Sequence, residues 1–313
     1  MILTITLNPS IDIGTHCRQV QPGRKVRCRR PQLDPGGGGI NVCRVINELQ
    51  LESSTIWLAG GYSGRTLQEL LTERKISGWC IDSGCDVRQN LYVAEDSSEQ
   101  EYRFVMPGPE LSEKHLQAVA DKIDEIDDIE MIVFSGSLPR GLPADSYKRL
   151  AQHAGDVPVV VDTSSEALQS VAEYGAFLVK PNRRELSELV GSEHLKGQQE
   201  MIDAACEVLK PGRIEWILLS LGPGGALLIG SDQRWRIHAP SVKVRSTVGA
   251  GDSMVAGTAC GFSRGYPPDQ AARLGVAAGS AAVLTDGTQL CRRDDVDRLW
   301  EETAASEIET DKG

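Results

Sequence analysis

The sequence predicts an α/β fold, with a mostly parallel central sheet, helices on both of its faces and a small β-sheet lid. Two observations lead there. Short, apolar, β-branched runs alternate with stretches of helical period along the chain, which is the pattern of a parallel sheet covered by helices. Two polar segments, Ile11–Leu33 and Arg88–Met106, break that rhythm. They carry β-branched residues without a helical period and are assigned to the small accessory sheet.

The elements follow in order. Ile2–Leu7 reads as a strand, Ile40–Leu49 as a helix opened by glycines, Ser54–Leu58 as a strand and Arg65–Arg74 as a helix. Met131–Phe134, Val157–Asp162, Ala176–Val179, Trp216–Ser220 and Ala226–Ile229 are short and apolar and read as strands. Helical periods occupy Lys114–Ile126, Ala144–His153, Glu166–Glu173, Glu185–Val190 and Met201–Leu209. In such a sheet, ligands bind outside the carboxyl ends of the strands. No repeat or long linker interrupts the chain, so residues 1–300 are expected to form one domain. Residues 301–313 hold five acids against Lys312 alone and are expected to form a disordered acidic tail.

Composition narrows the function classes. The 313 residues are 40% hydrophobic and 25% charged, an ordinary globular balance that excludes disorder throughout. A net charge of −11 argues against a bulk nucleic-acid binder. Gly275–Leu284 falls well short of the ~20 apolar residues of a membrane helix, and Met1–Leu7 lacks a basic leader. The eight cysteines form no CxxC pair and no zinc-spaced Cys/His cluster. These features together predict a cytoplasmic protein with reduced thiols and no membrane partner.

The richest motif is Ser246-Thr247-Val248-Gly249-Ala250-Gly251-Asp252-Ser253, which opens an apolar helix from Met254. Its glycines let backbone N–H groups converge, and the helix N-terminus adds partial positive charge, which suits a phosphate in transfer. Asp252 would stand beside that anion site as a proton acceptor. An acid in a first helical turn is also favourable on its own account. The dinucleotide pattern GxGxxG fails because Met254 stands at its third glycine. No GxxxxGK[ST] occurs, and Gly61-Tyr62-Ser63-Gly64-Arg65 narrowly misses GxSxG.

Other segments carry paired readings. The run Gly36–Gly39 before Ile40-Asn41 suits close approach of a ligand to the backbone, or a flexible turn. Asn41 could direct a hydrogen bond to a sugar hydroxyl. In Lys180-Pro181-Asn182-Arg183-Arg184-Glu185, Asn182 and Glu185 have capping-box spacing and could also orient water around a Mg²⁺-bound phosphate. Ser220–Ala226 is a tight hairpin turn or a place for nucleotide to approach backbone. His16, Arg18, Arg24, Lys25, Arg27, Arg29 and Arg30 make either a charged edge strand or a positive flap over an anionic substrate.

Taken together, these motifs resemble the ribokinase-like (PfkB) carbohydrate kinases. The match runs from Leu3 to about Trp300 through Thr6–Asp12, Gly36–Asn41, Ser135–Pro139, Lys180–Glu185 and Gly249–Asp252. Lys25–Cys28, Arg88–Leu91, Tyr102–Gly108, Ser220–Pro223 and Gly275–Ala282 are most similar to the family's minor bacterial 6-phosphofructokinase branch. The resemblance implies a ribokinase-like fold and ATP-dependent phosphorylation of fructose 6-phosphate at its C1 hydroxyl, a glycolytic step. Sister activities are 1-phosphofructokinase and tagatose-6-phosphate kinase, and a noncatalytic sugar-phosphate sensor is a distant alternative.

Carried over residue by residue, the resemblance makes Asp252 the base and Gly249, Ala250 and Gly251 the anion hole. Asp12, Gly37, Gly38 and Asn41 would hold the sugar, and Arg88 and Lys25 its phosphate, with Arg27 and Arg103 as helpers. Lys180, Asn182 and Glu185 would serve ATP and Mg²⁺, the last two through water. Ser220, Gly222 and Gly225 would line the adenosine side. A K⁺ site is implied around Ser246, Val248, Ala282 and Gly287, and a homodimer through the lid. The sequence departs from its branch at Thr285 and Gln289, where Asn and Arg are usual, and at Gln21, where an aromatic residue is usual.

Overall fold

The structure is a computed structural model that describes residues 1–98 and 100–309. In chain order its strands are β1 (Ile2–Thr6), β2 (Ser10–Cys17), β3 (Gln32–Gly36), β4 (Ser53–Gly60), β5 (Gly78–Asp86), β6 (Arg88–Glu95) and β7 (Glu101–Phe104). They continue with β8 (Met131–Ser135), β9 (Val159–Asp162), β10 (Ala176–Val179), β11 (Ile214–Ser220), β12 (Ala226–Ile229), β13 (Arg234–His238) and β14 (Ala304–Glu307). The helices are α1 (Gly38–Glu48), α2 (Gly61–Glu73), α3 (Glu113–Asp124), α4 (Ser146–Ala151), α5 (Ser165–Tyr174), α6 (Arg183–Leu189), α7 (Gln198–Leu209), α8 (Ala250–Ser263), α9 (Pro268–Ala282) and α10 (Arg293–Glu302).

The large sheet runs β14-β13-β12-β11-β10-β9-β8-β1-β4-β5. It is parallel from β11 to β5, and the β11–β14 end is antiparallel. All five residues of β1 are buried, as a strand covered on both faces requires. Leu3 and Ile5 join a core filled from α3 to α7 by Leu116, Tyr147, Leu168, Leu186 and Ile202. Ile2 points the other way, into a core that holds Val45 of α1, Val255 of α8, Val276 of α9 and Leu299 of α10. A second sheet, ordered β3-β2-β6-β7, stands apart as the lid, with β2 and β6 parallel and the outer pairs antiparallel. No helix among the described residues is long and apolar enough to cross a membrane.

Several expectations change. The segment Ile11–Leu33 is not strand throughout: β2 and β3 are joined by the exposed loop 18–31, which folds back on β2 through backbone pairing between Cys17 and Cys28, both free thiols. The predicted helix Ala144–His153 is shorter, with α4 passing into a 3₁₀ turn at Gln152–Ala154. The acidic tail is ordered over part of its length. Ala304–Glu307 pairs antiparallel with β13, and the Ile308 N–H donates to the Arg234 carbonyl at 2.9 Å. Small residues between the acids fit an edge strand, and the charge count concealed them. The remainder of the tail, residues 310–313, lies outside the described residues.

Candidate active site

The parallel strands bring their carboxyl ends to one edge. Chain leaving β1 supplies Asn8, β8 ends at Ser135, β9 at Asp162, and β10 leads into Lys180. The N-terminus of α8 faces this edge. Gly249 caps that helix in the left-handed region at φ 71°, and a Cβ there would stand 2.3 Å from a methyl carbon of Leu290. Both constraints exclude a side chain. One residue into the helix, a Cβ on Gly251 would lie 3.6 Å from Lys180 Nζ, so the glycine loop and the lysine share one small space. Asp252 follows in the first turn.

Burial and charge tune these groups. Lys180 Nζ lies 3.1 Å from Asp162 Oδ1. Burial lowers the lysine's proton affinity, but Asp162, Glu185 and Asp252 together outweigh it and hold that affinity above the ordinary range. Asp252 is pushed up from 3.8 to about 6, first by burial and next by Asp162. A hydrogen bond from Asn41 Nδ2, 2.8 Å to Asp252 Oδ2, and the charge of Lys180 oppose that rise. The sequence reading named Asp252, Lys180 and Asn41 but took Asp162 only as the end of a strand. Its signal was an acid closing the buried run Val159-Val160-Val161 at the ligand-binding edge.

On the lid side, Asp12 Oδ1 accepts from Asn90 Nδ2 and Ser10 Oγ, both at 2.8 Å. Arg88 Nη2 donates to the Asn8 carbonyl at 3.2 Å, while its buried Nε has no partner among the described residues. Arg103 Nη2 reaches from β7 to Thr247 Oγ1 at 2.9 Å, tying the lid to the α8 loop. A cavity of about 270 Å³ lies between them, lined by Asp12, Asn90, Arg103, Thr247 and Gly249. Lys25 and Arg27 are not brought to it. Both are exposed on loop 18–31, and among the described residues no salt bridge or side-chain hydrogen bond holds them. Gly37 and Gly38 have a packing cause as well: a Cβ would meet Thr6 Cγ2 at 2.6 Å or Ser135 Oγ at 2.3 Å.

Across Thr247 opens a second cavity of about 400 Å³, lined by Ser220, Gly222, Gly225, Ala250 and Gly251 together with apolar side chains such as Val242 and Val276. Gly225 is fixed by the hairpin itself, since a Cβ would lie 2.1 Å from the Ile237 carbonyl oxygen. Asn182 and Glu185 make the predicted capping box: the Asn182 N–H donates to Glu185 Oε2 at 2.8 Å, and the Glu185 N–H to Asn182 Oδ1 at 3.0 Å. That leaves Asn182 Nδ2 and Glu185 Oε1 outside the box. Among the described residues no cluster of three acids, histidines or cysteines could cage a metal. The donor set therefore fits Mg²⁺ only as an ion carried by phosphates and water.

The expected K⁺ oxygens converge less freely. The Ala282 carbonyl accepts from the Thr285 N–H at 3.2 Å and lies 2.8 Å from Thr285 Oγ1, which is also 2.8 Å from the Gln289 carbonyl. Thr285 is one of the three departures noted above. Its hydroxyl lies against the Ala282 carbonyl, one of the oxygens the resemblance assigns to the cation, and so competes with K⁺ for that oxygen.

Comparison with known proteins decides the family. The signature described as pfkB family carbohydrate kinase matches residues 6–295. The chain belongs to this family. It is 40% identical to the ATP-dependent 6-phosphofructokinase isozyme 2 of Escherichia coli K12, over 96% of this chain and 97% of that one. It is 41% identical to the Mycobacterium tuberculosis protein of the same name, over 96% and 89%. Solved structures of phosphofructokinase-2 from Escherichia coli superpose on this kinase with a TM-score of 0.92 in complex with potassium (39% identity; 96% of this chain, 98% of that one). For the complex with fructose-6-phosphate the TM-score is 0.90 (38% identity; 96% and 98%). The expected α/β architecture with its separate lid sheet is thus the family fold.

Proposed function

We propose that this kinase transfers the γ-phosphoryl group of ATP to the C1 hydroxyl of fructose 6-phosphate, giving fructose 1,6-bisphosphate and ADP. One observation carries the reading. The lid cavity, with Asp12, Asn90 and Arg103 in its wall, and the mostly apolar cavity share Thr247, and Gly249 of the first is followed in the chain by Ala250 and Gly251 of the second, with Asp252 next in the first turn of α8. An acceptor in the first and a nucleotide in the second would have their reacting oxygens face the same helix N-terminus.

The geometry supports the following roles. Asp252 takes the proton of the C1 hydroxyl as it attacks. The backbone N–H groups of Gly249, Ala250 and Gly251, with the α8 N-terminus behind them, stabilise charge developing on the transferred group. Lys180, held cationic by Asp162, adds a positive charge beside Gly251. In-line phosphoryl transfer asks mainly for such positioning and electrostatics. Asp12, Gly37, Gly38 and Asn41 hold the sugar, and the guanidinium of Arg88, which lies beside the Asn8 carbonyl, takes its 6-phosphate, with Arg103 as a helper. Lys25 and Arg27 would join only through movement of loop 18–31. Ser220, Gly222 and Gly225 flank the adenosine. Bound Mg²⁺ neutralises and aligns the phosphate oxygens, and Glu185, Asn182 and Asp162 would hold its water shell.

The relatives' names support the substrate, as does the solved complex of one of them with fructose-6-phosphate. The lid exposes Leu33, Phe104, Val105 and Met106, which we assign to a homodimer contact. The eight free thiols suit the reducing cytoplasm. A coupled ADP-release assay with fructose 6-phosphate, fructose 1-phosphate, tagatose 6-phosphate and unphosphorylated fructose tests the assignment. Fructose 6-phosphate should give the highest kcat/KM. Faster turnover of either other ketose phosphate would move the enzyme to that sister activity.

A further inference from the structure

Arg44 lies on α1, one turn beyond Asn41, and lines neither of the two cavities described above. Its side chain is only 10% exposed. Nη1 donates to the Pro35 carbonyl at 2.9 Å and to Asn41 Oδ1 at 3.2 Å, and Nη2 stands 3.8 Å from Asp34 Oδ1. Asp34 does not depend on this contact. It also pairs with Arg74 and accepts from Thr288 Oγ1 at 2.5 Å.

A guanidinium carries donors and no acceptor. Facing one, Asn41 must present its oxygen to Arg44, which leaves the NH₂ for Asp252 Oδ2 at 2.8 Å. We propose that Arg44 is a positioning residue for phosphoryl transfer: it sets the amide of Asn41 so that the NH₂ faces Asp252 and keeps that carboxylate aimed and ionised. The inference rests on the reading of Asp252 as the base.

The alternative amide orientation shows why this matters. With the amide reversed, an oxygen would face the carboxylate, an arrangement that favours protonated Asp252 and thereby removes the base. The other charged groups facing Asp252 do not supply the missing donor. Asp162 at the end of β9 and Asp12 on the lid favour the protonated form, and Lys180 after β10 opposes them. Arg44 itself contributes a modest favourable charge at longer range. Ionisation therefore leans on Lys180 and on the amide that Arg44 orients.

The test is a double-mutant cycle on kcat and its pH profile, using Arg44→Met, Asn41→Ala and the double variant in the full-length enzyme. Arg44→Met should lower kcat about tenfold and move the acid limb of the kcat profile up by about one pH unit, with KM for ATP unchanged. In the Asn41→Ala background, the same change should lower kcat by no more than about twofold, because the intermediary is gone. Arg44→Lys should restore part of the loss, since an ammonium still donates to Asn41 but has no second nitrogen to stand beside Asp34 as Nη2 does. If Arg44→Met fails to fold, the cycle is run with Arg44→Lys. Effects of the two sites that multiply, or an unshifted acid limb, would overturn the inference. Asp252→Asn separates the two claims. Near-normal turnover in that variant refutes the base itself, whereas an inactive Asp252→Asn beside multiplicative Arg44 and Asn41 effects refutes Arg44 alone.

Discussion

Lys180 Nζ and Asp162 Oδ1 lie 3.1 Å apart, with side chains only 7% and 16% exposed. Two charges enclosed this far depend on each other, and removing one leaves the other uncompensated at a cost of about 3–5 kcal/mol. The pair also sets the electrostatics around Asp252, which Asp162 makes harder to ionise and Lys180 easier.

Asp162→Asn should therefore shift the pH–rate profile in a definite direction. Without Asp162, Asp252 ionises more readily, so the acid limb moves to lower pH. Lys180 loses the main charge that opposes its burial, so its proton leaves more easily and activity falls at lower alkaline pH. Both limbs of kcat against pH should move down together, and the melting temperature should fall. A profile that keeps its limbs would detach Asp162 from the site.

Asp252→Asn should lower kcat by about 10²–10⁴, the usual range for loss of a general base. It should also stabilise the free protein above pH 6. The folded-state value of Asp252 is raised from 3.8 to about 6, so between those values the native state binds more protons than the unfolded state. Stability then falls as pH rises through this window, and the whole penalty is present above it. Thermal melts should show the variant above wild type at pH 8, with the gap closing toward pH 4. A variant less stable at pH 8 would contradict the assigned burial penalty.

Arg88→Ala should raise KM for fructose 6-phosphate at least tenfold, leave KM for ATP nearly unchanged and shrink the preference over plain fructose. Truncating one member of a desolvated charged contact costs about 2–5 kcal/mol, whereas an exposed ion pair is worth about 0–1 kcal/mol. Arg88 is partly buried, unlike an exposed lid arginine, so a contact to the sugar phosphate would fall in the first class. Steady-state kinetics on both substrates checks this. An unchanged sugar-phosphate KM would return Arg88 to a lid-supporting role through its bond to the Asn8 carbonyl.

The Thr285 hydroxyl bridging the Ala282 and Gln289 carbonyls predicts weak response to monovalent cations. Replacing K⁺ by N-methylglucamine at constant ionic strength should change kcat/KM by less than about threefold. A loss of an order of magnitude would show that the hydroxyl yields its place to the ion.

Most of the fold was legible because a parallel sheet writes itself as short apolar runs between helical periods. β5 was not, because it is an edge strand whose glycines, acids and alternating exposure hide its pattern. β14 was not, because its pairing partner lies about seventy residues away and its acids suggested solvent. Asp252, Asn41 and Lys180 stood in recognisable motifs, and the structure brings them to one edge. Asp162 and Arg44 stand in ordinary strand and helix sequence. Their importance comes from what faces them in three dimensions, and no local pattern records that. The glycine run Gly36–Gly39 mixes both kinds of information: a loop that reads as a ligand cradle is also forced by close approach to β1 and Ser135.

The most direct measurement is the position of the new phosphate. Fructose 6-phosphate labelled with ¹³C at C1 is incubated with ATP, Mg²⁺ and the enzyme, and the product is read by ¹³C and ³¹P NMR. Phosphorus coupling should appear at C1 in step with ADP formation, giving fructose 1,6-bisphosphate as the sole ketose product, and Asp252→Asn should suppress both signals together. ADP released without coupling at C1, or coupling at another carbon, would contradict the account.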